Sequence, residues 1–323
     1  MADTTEGDTY IQYLGLLALT LIALIAGLVI HSFIIGVNVT DWWKGRSVTP
    51  VDYIVTSLAM TRMCSQSFIT LYLLLLIFFT NKLHLNAVLH TMVAVTDFFM
   101  YINYWLTTLL SIVFCLKISN LHSRLFQYLR GMIAHRTVYF IGALVLLSAV
   151  NSWMTYLQTF TKNTIGGTYN TKKANFSTDC TSLISIYNYN IGASIPIFFY
   201  SISSVLLFTS LYHHTIKMKM SNNVSINLET YYSVMKFIFF TFIYKTIYYF
   251  GFFTCTFFYY FYCVRLPWLY IVLGFLPALH SSYLISRTPK LRSQMSKALQ
   301  DVTDFLLQRK DAETGNNIEV VAL

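Results

Sequence analysis

Charge is scarce in this chain of 323 residues. Asp, Glu, Lys and Arg make up 11% of it, 56% is hydrophobic, and mean hydropathy is +0.56. Ordinary globular domains carry about 25% charged residues. So few polar side chains cannot cover a protein surface in water, which excludes a soluble enzyme or binding module. Acids are scarcer than bases, 13 against 22, giving a net charge of +9. A long basic tract interleaved with exposed aromatics is missing, so the excess reads as basic loops held on one side of a bilayer rather than as a nucleic-acid surface. Catalytic signatures are missing as well: there is no G-x-S-x-G, no H-E-x-x-H and no glycine-rich phosphate loop, and the eight His residues are scattered,. No enzymatic activity, cofactor or metal is expected. The five cysteines, Cys64, Cys115, Cys180, Cys255 and Cys263, do not stand at metal-ligand spacing,.

What the chain has instead is long apolar runs. Spanning a bilayer takes about 20 mainly apolar helical residues, and seven stretches qualify: 13–37, 51–79, 89–116, 138–160, 187–212, 234–260 and 266–286. The expected organisation is an N-terminal segment 1–12, a transmembrane domain 13–286 and a tail 287–323. The first nine residues hold Asp3, Glu6 and Asp8 and no base. A cleaved signal peptide needs a positive start, so the first span reads as a retained anchor. With the N-terminus outside, fifteen of the 22 Lys and Arg fall in inner segments and five in outer ones, with Arg62 and Lys245 inside spans. That bias sets the N-terminus outside and the tail inside. The expected fold is all-α, a seven-helix bundle of the kind found in G-protein-coupled receptors. In the tail, Leu291, Met295, Leu299, Val302 and Leu306 recur at helical spacing beside Lys and Arg, as in an amphipathic helix on the inner leaflet,.

Three N-x-[ST] sequons occur, at Asn38, Asn175 and Asn223. The deduced topology puts only Asn175 outside, so it alone is expected to carry a glycan. Cys64 and Cys115 read as buried small hydrophobes, while Cys180 and Cys263 face the oxidising side, where a bridge is open to them.

Ionisable residues at membrane depth are costly and turn toward the bundle interior. Arg62, midway along the second span, is expected to hydrogen-bond polar groups of spans one and seven, with His31 and Ser281 as partners. Asp97 lies about two turns into the third span, and Lys245 midway along the sixth. Three arrangements stay open for them: a neutralising Asp97–Lys245 pair, a free Asp97 that captures a cationic ligand, or an Asp97 in rim water. Aromatics reach 17% and crowd spans five and six (Tyr244, Tyr248, Tyr249, Phe250, Phe252 and Phe253); most of these read as lipid-facing or packing residues, with a few left to line an adaptable, mainly apolar cavity,.

Five motifs stand in order along these spans. The first loop reads Asn38-Val39-Thr40-Asp41-Trp42, and span two runs from Asp52 into Ser57-Leu58-Ala59-Met60-Thr61-Arg62. Span three has Trp105 and ends Leu116-Lys117-Ile118-Ser119, where other receptors carry D-R-Y. Span five ends Ser210-Leu211-Tyr212-His213-His214-Thr215. Span seven holds Pro277-Ala278-Leu279-His280-Ser281, then Leu284-Ile285 and Lys290-Leu291. Together they resemble the type 2 taste receptors, the bitter receptors, along nearly the whole chain. The resemblance implies a plasma-membrane receptor for small bitter molecules that couples to a gustducin-like heterotrimeric G protein. It places a ligand site at Thr96, Asp97, Met100, Lys245, Tyr248 and Tyr270. It gives Arg62, His31, Trp105, Pro277, His280 and Ser281 structural or activating roles, and Lys117, His214 and Lys217 the G-protein contact. The chain also departs from the family: His31 stands where Asn is usual, Thr96 and Met100 where Trp and Asn are frequent, and Lys245 where Tyr is frequent. These changes point to a divergent branch with its own ligand set. A vomeronasal type 1-like pheromone receptor is the neighbouring alternative, disfavoured by the H-S motif of span seven. A channel or transporter would show repeated polar faces or paired broken helices, and only isolated charges are present.

Overall fold

The computed structural model describes residues 3–78, 85–118, 124–166, 183–220, 225–262, 264 and 266–321. Among these it holds helices only: α1 (Asp3–Trp43), α2 (Pro50–Phe78), α3 (Leu85–Ile118), α4 (Arg124–Gly166), α5 (Leu183–Met220), α6 (Ser225–Tyr262), α7 (Pro267–Arg287) and α8 (Pro289–Val321). The first seven are long and apolar enough to cross a membrane, with candidate spans Leu14–Trp43, Pro50–Leu75, Thr91–Ile118, His135–Leu157, Ile191–Lys217, Tyr232–Phe258 and Trp268–Arg287. Lipid offers backbone groups no hydrogen bonds, so each segment satisfies its own by forming a helix. α4 is two helical pieces that meet at Arg136, whose φ of −122° and ψ of 21° break the helix.

The turn between α1 and α2 shows how local chemistry sets a helix end. Gly45, at φ 66°, closes α1: its N–H bonds Trp42 O and the N–H of Arg46 bonds Asp41 O, both at 3.0 Å. That pair of bonds is a Schellman cap, which needs the left-handed backbone that glycine adopts freely. Arg46 also pairs with the Asp41 carboxylate at 2.8 Å. Thr49 then opens α2 by a capping box: its N–H and hydroxyl donate to Asp52 at 2.9 and 2.8 Å, and the Asp52 N–H returns a 3.3 Å bond. Pro50, without an N–H, fits the first helical position between them. Asn38 donates to Thr56 at 2.9 Å and is 5% exposed. A buried amide so engaged is a poor glycan acceptor. Asn175, Asn223, Cys180 and Cys263 lie outside the described residues.

The chain divides into two compact units, Met1–His280 and Ser281–Leu323. In the first, α3 is the central post. Over its most apolar 18 residues it is 78% buried, against 22% for α1 and 17% for α4. α2, α4 and α5 pack against it, α1 packs on α2, and α6 on α5. Three buried clusters run along α3. Leu58, Ile102 and Leu106 join α2 to α3; Cys115, Leu207, Leu211 and Ile238 join α3, α5 and α6 near the end of α3. A larger cluster toward the start of α3 is described below. A polar seam runs between α3 and α5. Thr108 donates to Pro196 O at 2.8 Å, and Ser203 donates to Ser111 at 2.8 Å, with Ser204 3.2 Å from the same hydroxyl. In the second unit, α8 carries Leu291 buried, Met295 half-buried, and Leu299, Val302 and Leu306 exposed, at the expected spacing.

Candidate functional site

Four of the six expected ligand residues meet. Met100, Tyr101 and Tyr104 of α3, Ala193 of α5, Tyr248, Phe252 and Cys255 of α6 and Leu273 of α7 form one buried cluster, edged by Tyr244, Tyr249 and Tyr270. Aromatic edges and faces organise it. Tyr104 meets Tyr248 at 6.0 Å and 64°, and Phe252 meets Tyr270 at 6.1 Å and 76°, both edge-to-face geometries that ring quadrupoles favour,. Ser194 and the Tyr249 hydroxyl, 2.9 Å apart, tie α5 to α6. Lys245 is 4% exposed. Its Nζ lies 6.0, 5.4 and 5.7 Å from the ring centres of Tyr104, Tyr244 and Tyr248, within cation–π reach of all three,.

The other two differ. Thr96 donates its hydroxyl to Met92 O at 2.8 Å and so serves its own helix. Asp97 is half-buried, three residues before Met100 and seven before Tyr104, which sets it on the same stripe of α3,. Among the described residues it makes no ion pair with Lys245. Seven residues along a helix is about 10 Å, which accounts for the separation.

Beneath the cluster, Arg62 reaches His280 Nδ1 at 3.0 Å, crossing from α2 to α7. Tyr244 stacks on the His280 ring at 4.5 Å and 21°. His31 is fully buried and meets the backbone of Gly27 and Pro277. Span seven is thus the Arg62 partner as expected, through His280. Gln66, one turn beyond Arg62, donates to Ala23 O at 3.2 Å and Gly274 O at 2.7 Å. Trp105 is half-buried, Pro277 lies within α7, and Ser281 is buried at the start of the second unit.

Lys117 is exposed on the last turn of α3, and His214 and Lys217 are exposed on the last turns of α5. Ile118 packs on the Leu207–Leu211 cluster, so these three share one end of the bundle, opposite the aromatic cluster. At that end Arg130 donates to Leu116 O at 2.7 Å.

Tyr104 and Gln66 join this candidate site without being singled out in the sequence, whereas Tyr244 was among the aromatics noted there. Tyr104 was within reach of spacing alone, four residues after Met100 on the same face. Gln66 was within reach as a polar side chain one helical turn after Arg62, flanked by Ser65 and Ser67,.

The taste receptor protein (TAS2R) family model matches residues 10–303. The chain belongs to that family. Taste receptor type 2 member 9 of Macaca mulatta is 28% identical over 298 residues, 87% of this chain and 91% of that one. Member 7 of Rattus norvegicus is 26% identical over 227 residues, 68% and 70% of the two chains, and member 1 of Pan paniscus 25% over 202 residues, 62% and 66%. A member of this receptor family with seven apolar helices is a multi-pass membrane protein of a non-enzymatic class. The family motifs now have physical content in this taste receptor: Asp41 pairs with Arg46 at the end of α1, Asp52 closes the capping box of α2, Asn38 fastens α1 to α2, and Arg62 and His280 join α2 to α7.

Proposed function

We propose that the receptor sits in the plasma membrane with its N-terminus outside, detects extracellular small molecules of bitter character, and couples to a gustducin-like heterotrimeric G protein. The observation that carries this is the convergence of Met100, Lys245, Tyr248 and Tyr270 from three helices on one aromatic cluster. Apolar lining with a few convergent polar groups is the usual make-up of a small-molecule site. Lys117, His214 and Lys217, exposed at the far end of α3 and α5, are the proposed G-protein contact. An agonist that binds one arrangement of α5 and α6 better than the other shifts the population toward it. The α3–α5 serine seam is suited to that, since hydroxyls can exchange partners at small cost.

The test is calcium release in cells co-expressing the receptor and a gustducin-chimera G protein, challenged with a broad bitter panel beside cells lacking the receptor. Receptor-dependent responses support the proposal; silence with surface expression established overturns it. Once an agonist is in hand, Asp97→Asn is expected to lower the potency of cationic agonists by about tenfold, the loss of one charge-assisted contact, with unchanged surface expression. An unaltered dose–response curve removes Asp97 from the site. Asn175→Gln is expected to abolish the glycosidase-sensitive gel shift. A shift that persists in that variant overturns the proposed orientation, because Asn38 is engaged with Thr56 and Asn223 would then face outside.

A further inference from the structure

Two donor groups at the floor of the aromatic cluster, on His280 and Lys245, have no acceptor among the described residues. Arg62 can only donate, so its 3.0 Å contact makes His280 Nδ1 the acceptor and puts the proton of the neutral ring on Nε2,. That Nε2–H is buried and has no hydrogen-bond partner among the described residues. Lys245 adds three donors from a side chain 4% exposed,. Its Nζ lies 5.4–6.0 Å from the ring centres of Tyr104, Tyr244 and Tyr248, and among the described residues it makes no hydrogen bond or ion pair. Tyr244 links the two groups, stacked on His280 at 4.5 Å and 5.4 Å from Lys245 Nζ. Arg62, bonded to that same imidazole, is a second buried basic side chain of this floor. Ring faces offset only part of the cost of burying an ammonium, and two neighbouring cations repel each other. Asp97, about two turns up α3, does not neutralise either,.

We propose that this floor takes the carboxylate or sulfonate of an amphipathic organic acid. The anion lies on Lys245 Nζ, with His280 Nε2–H as a second donor, and the apolar body lies against Met100, Phe252, Leu273 and Tyr270. The inference rests on the cluster being the ligand site. An anion is the ligand charge that relieves both the unmatched donors and the cation–cation repulsion, whereas a cation there adds to the repulsion.

The experiment measures thermal stability of the purified full-length receptor in detergent, a readout independent of G-protein coupling. The probes share one aromatic body and differ in charge: naphthalene-2-carboxylate, its methyl ester and 2-naphthylmethylamine. The acid is expected to stabilise the wild type with an apparent affinity about tenfold above the ester's, the worth of one charge-assisted contact. Lys245→Met should reduce the acid to the ester's level, and Lys245→Arg should keep the preference. Equal affinity of acid and ester for the wild type, or an acid preference that survives Lys245→Met, overturns the anion assignment while leaving the pocket standing. Stabilisation by sodium chloride to which the naphthoate adds nothing overturns the assignment to an organic acid. No shift from any of the three naphthyl probes overturns the pocket reading and this inference together.

Discussion

Replacing Arg62 with methionine is expected to abolish agonist responses and lower surface expression several-fold. Arg62 is 3% exposed in mid-membrane, and its Nη1 donates to His280 Nδ1 across the α2–α7 interface. Methionine keeps much of the length without the donor, so His280 is left with a buried acceptor unmatched. Such a loss costs about 1–3 kcal/mol in proteins generally, and interhelical polar contacts in membranes fall at the lower end, about 0.6–1.7 kcal/mol. Relief from burying a guanidinium works in the opposite direction. The orphaned His280 decides the sign for the single variant, because burial at 5% exposure leaves it no water to turn to. The double variant Arg62→Met, His280→Leu removes both polar partners and is expected to recover surface expression without recovering the calcium response. Arg62→Lys should fall between wild type and methionine, since a compact ammonium does not reproduce the planar fork. Wild-type surface levels and dose–response in Arg62→Met would remove the α2–α7 bridge from both stability and switching.

That bridge also shows where sequence reasoning stops. The seven spans are plain in the composition, and their ends differ from expectation by local rules. α1 runs on through Asn38 and Asp41 to Trp43 because Thr56 and Arg46 satisfy those polar side chains, where hydropathy alone ends the span near residue 37. Which face of each helix turns inward is far less legible. In lipid the outward face is as apolar as the inward one, so no alternation marks the core. Ile247 and Phe250 are exposed while Tyr248 and Phe252 are buried, though all four suit either environment. Charged side chains break that degeneracy, which is why Arg62 and Lys245 were recognisable as inward-facing. Tyr104 and Tyr244, which surround Lys245, carried no such mark. The Arg62 partner on span seven was legible as a helix but not as an atom. Ser281 and His280 are adjacent in sequence, and it is helix rotation that brings the imidazole to 3.0 Å from Arg62.

Gly27→Leu is expected to remove the receptor from the cell surface almost completely. α1 is thinly buried, so its attachment depends on a few close contacts. One is Gly27, where an added Cβ would meet the Gln66 amide, 2.6 Å from its carbon and 2.8 Å from Nε2. Small residues allow this kind of close approach between membrane helices. A flexible amide could normally move aside. Here it is held, because Nε2 donates to Ala23 O on α1 and Gly274 O on α7 at once. Moving it gives up both bonds, and Gln66 Oε1 is already buried without a partner among the described residues. Overpacking and the lost bonds together cost about 3 kcal/mol, a large share of the stability of an ordinary domain. Two controls separate this mechanism from a general intolerance of leucine. Gly36→Leu, on the same helix with open space at its Cβ, should leave surface expression unchanged. Gly27→Leu combined with Gln66→Ala should recover part of it, since the smaller side chain gives the leucine room while the α1–α7 tie stays lost. Equal surface expression of Gly27→Leu and Gly36→Leu would mean that α1 is held elsewhere, with Asn38–Thr56 and the buried His31 as the contacts to test next.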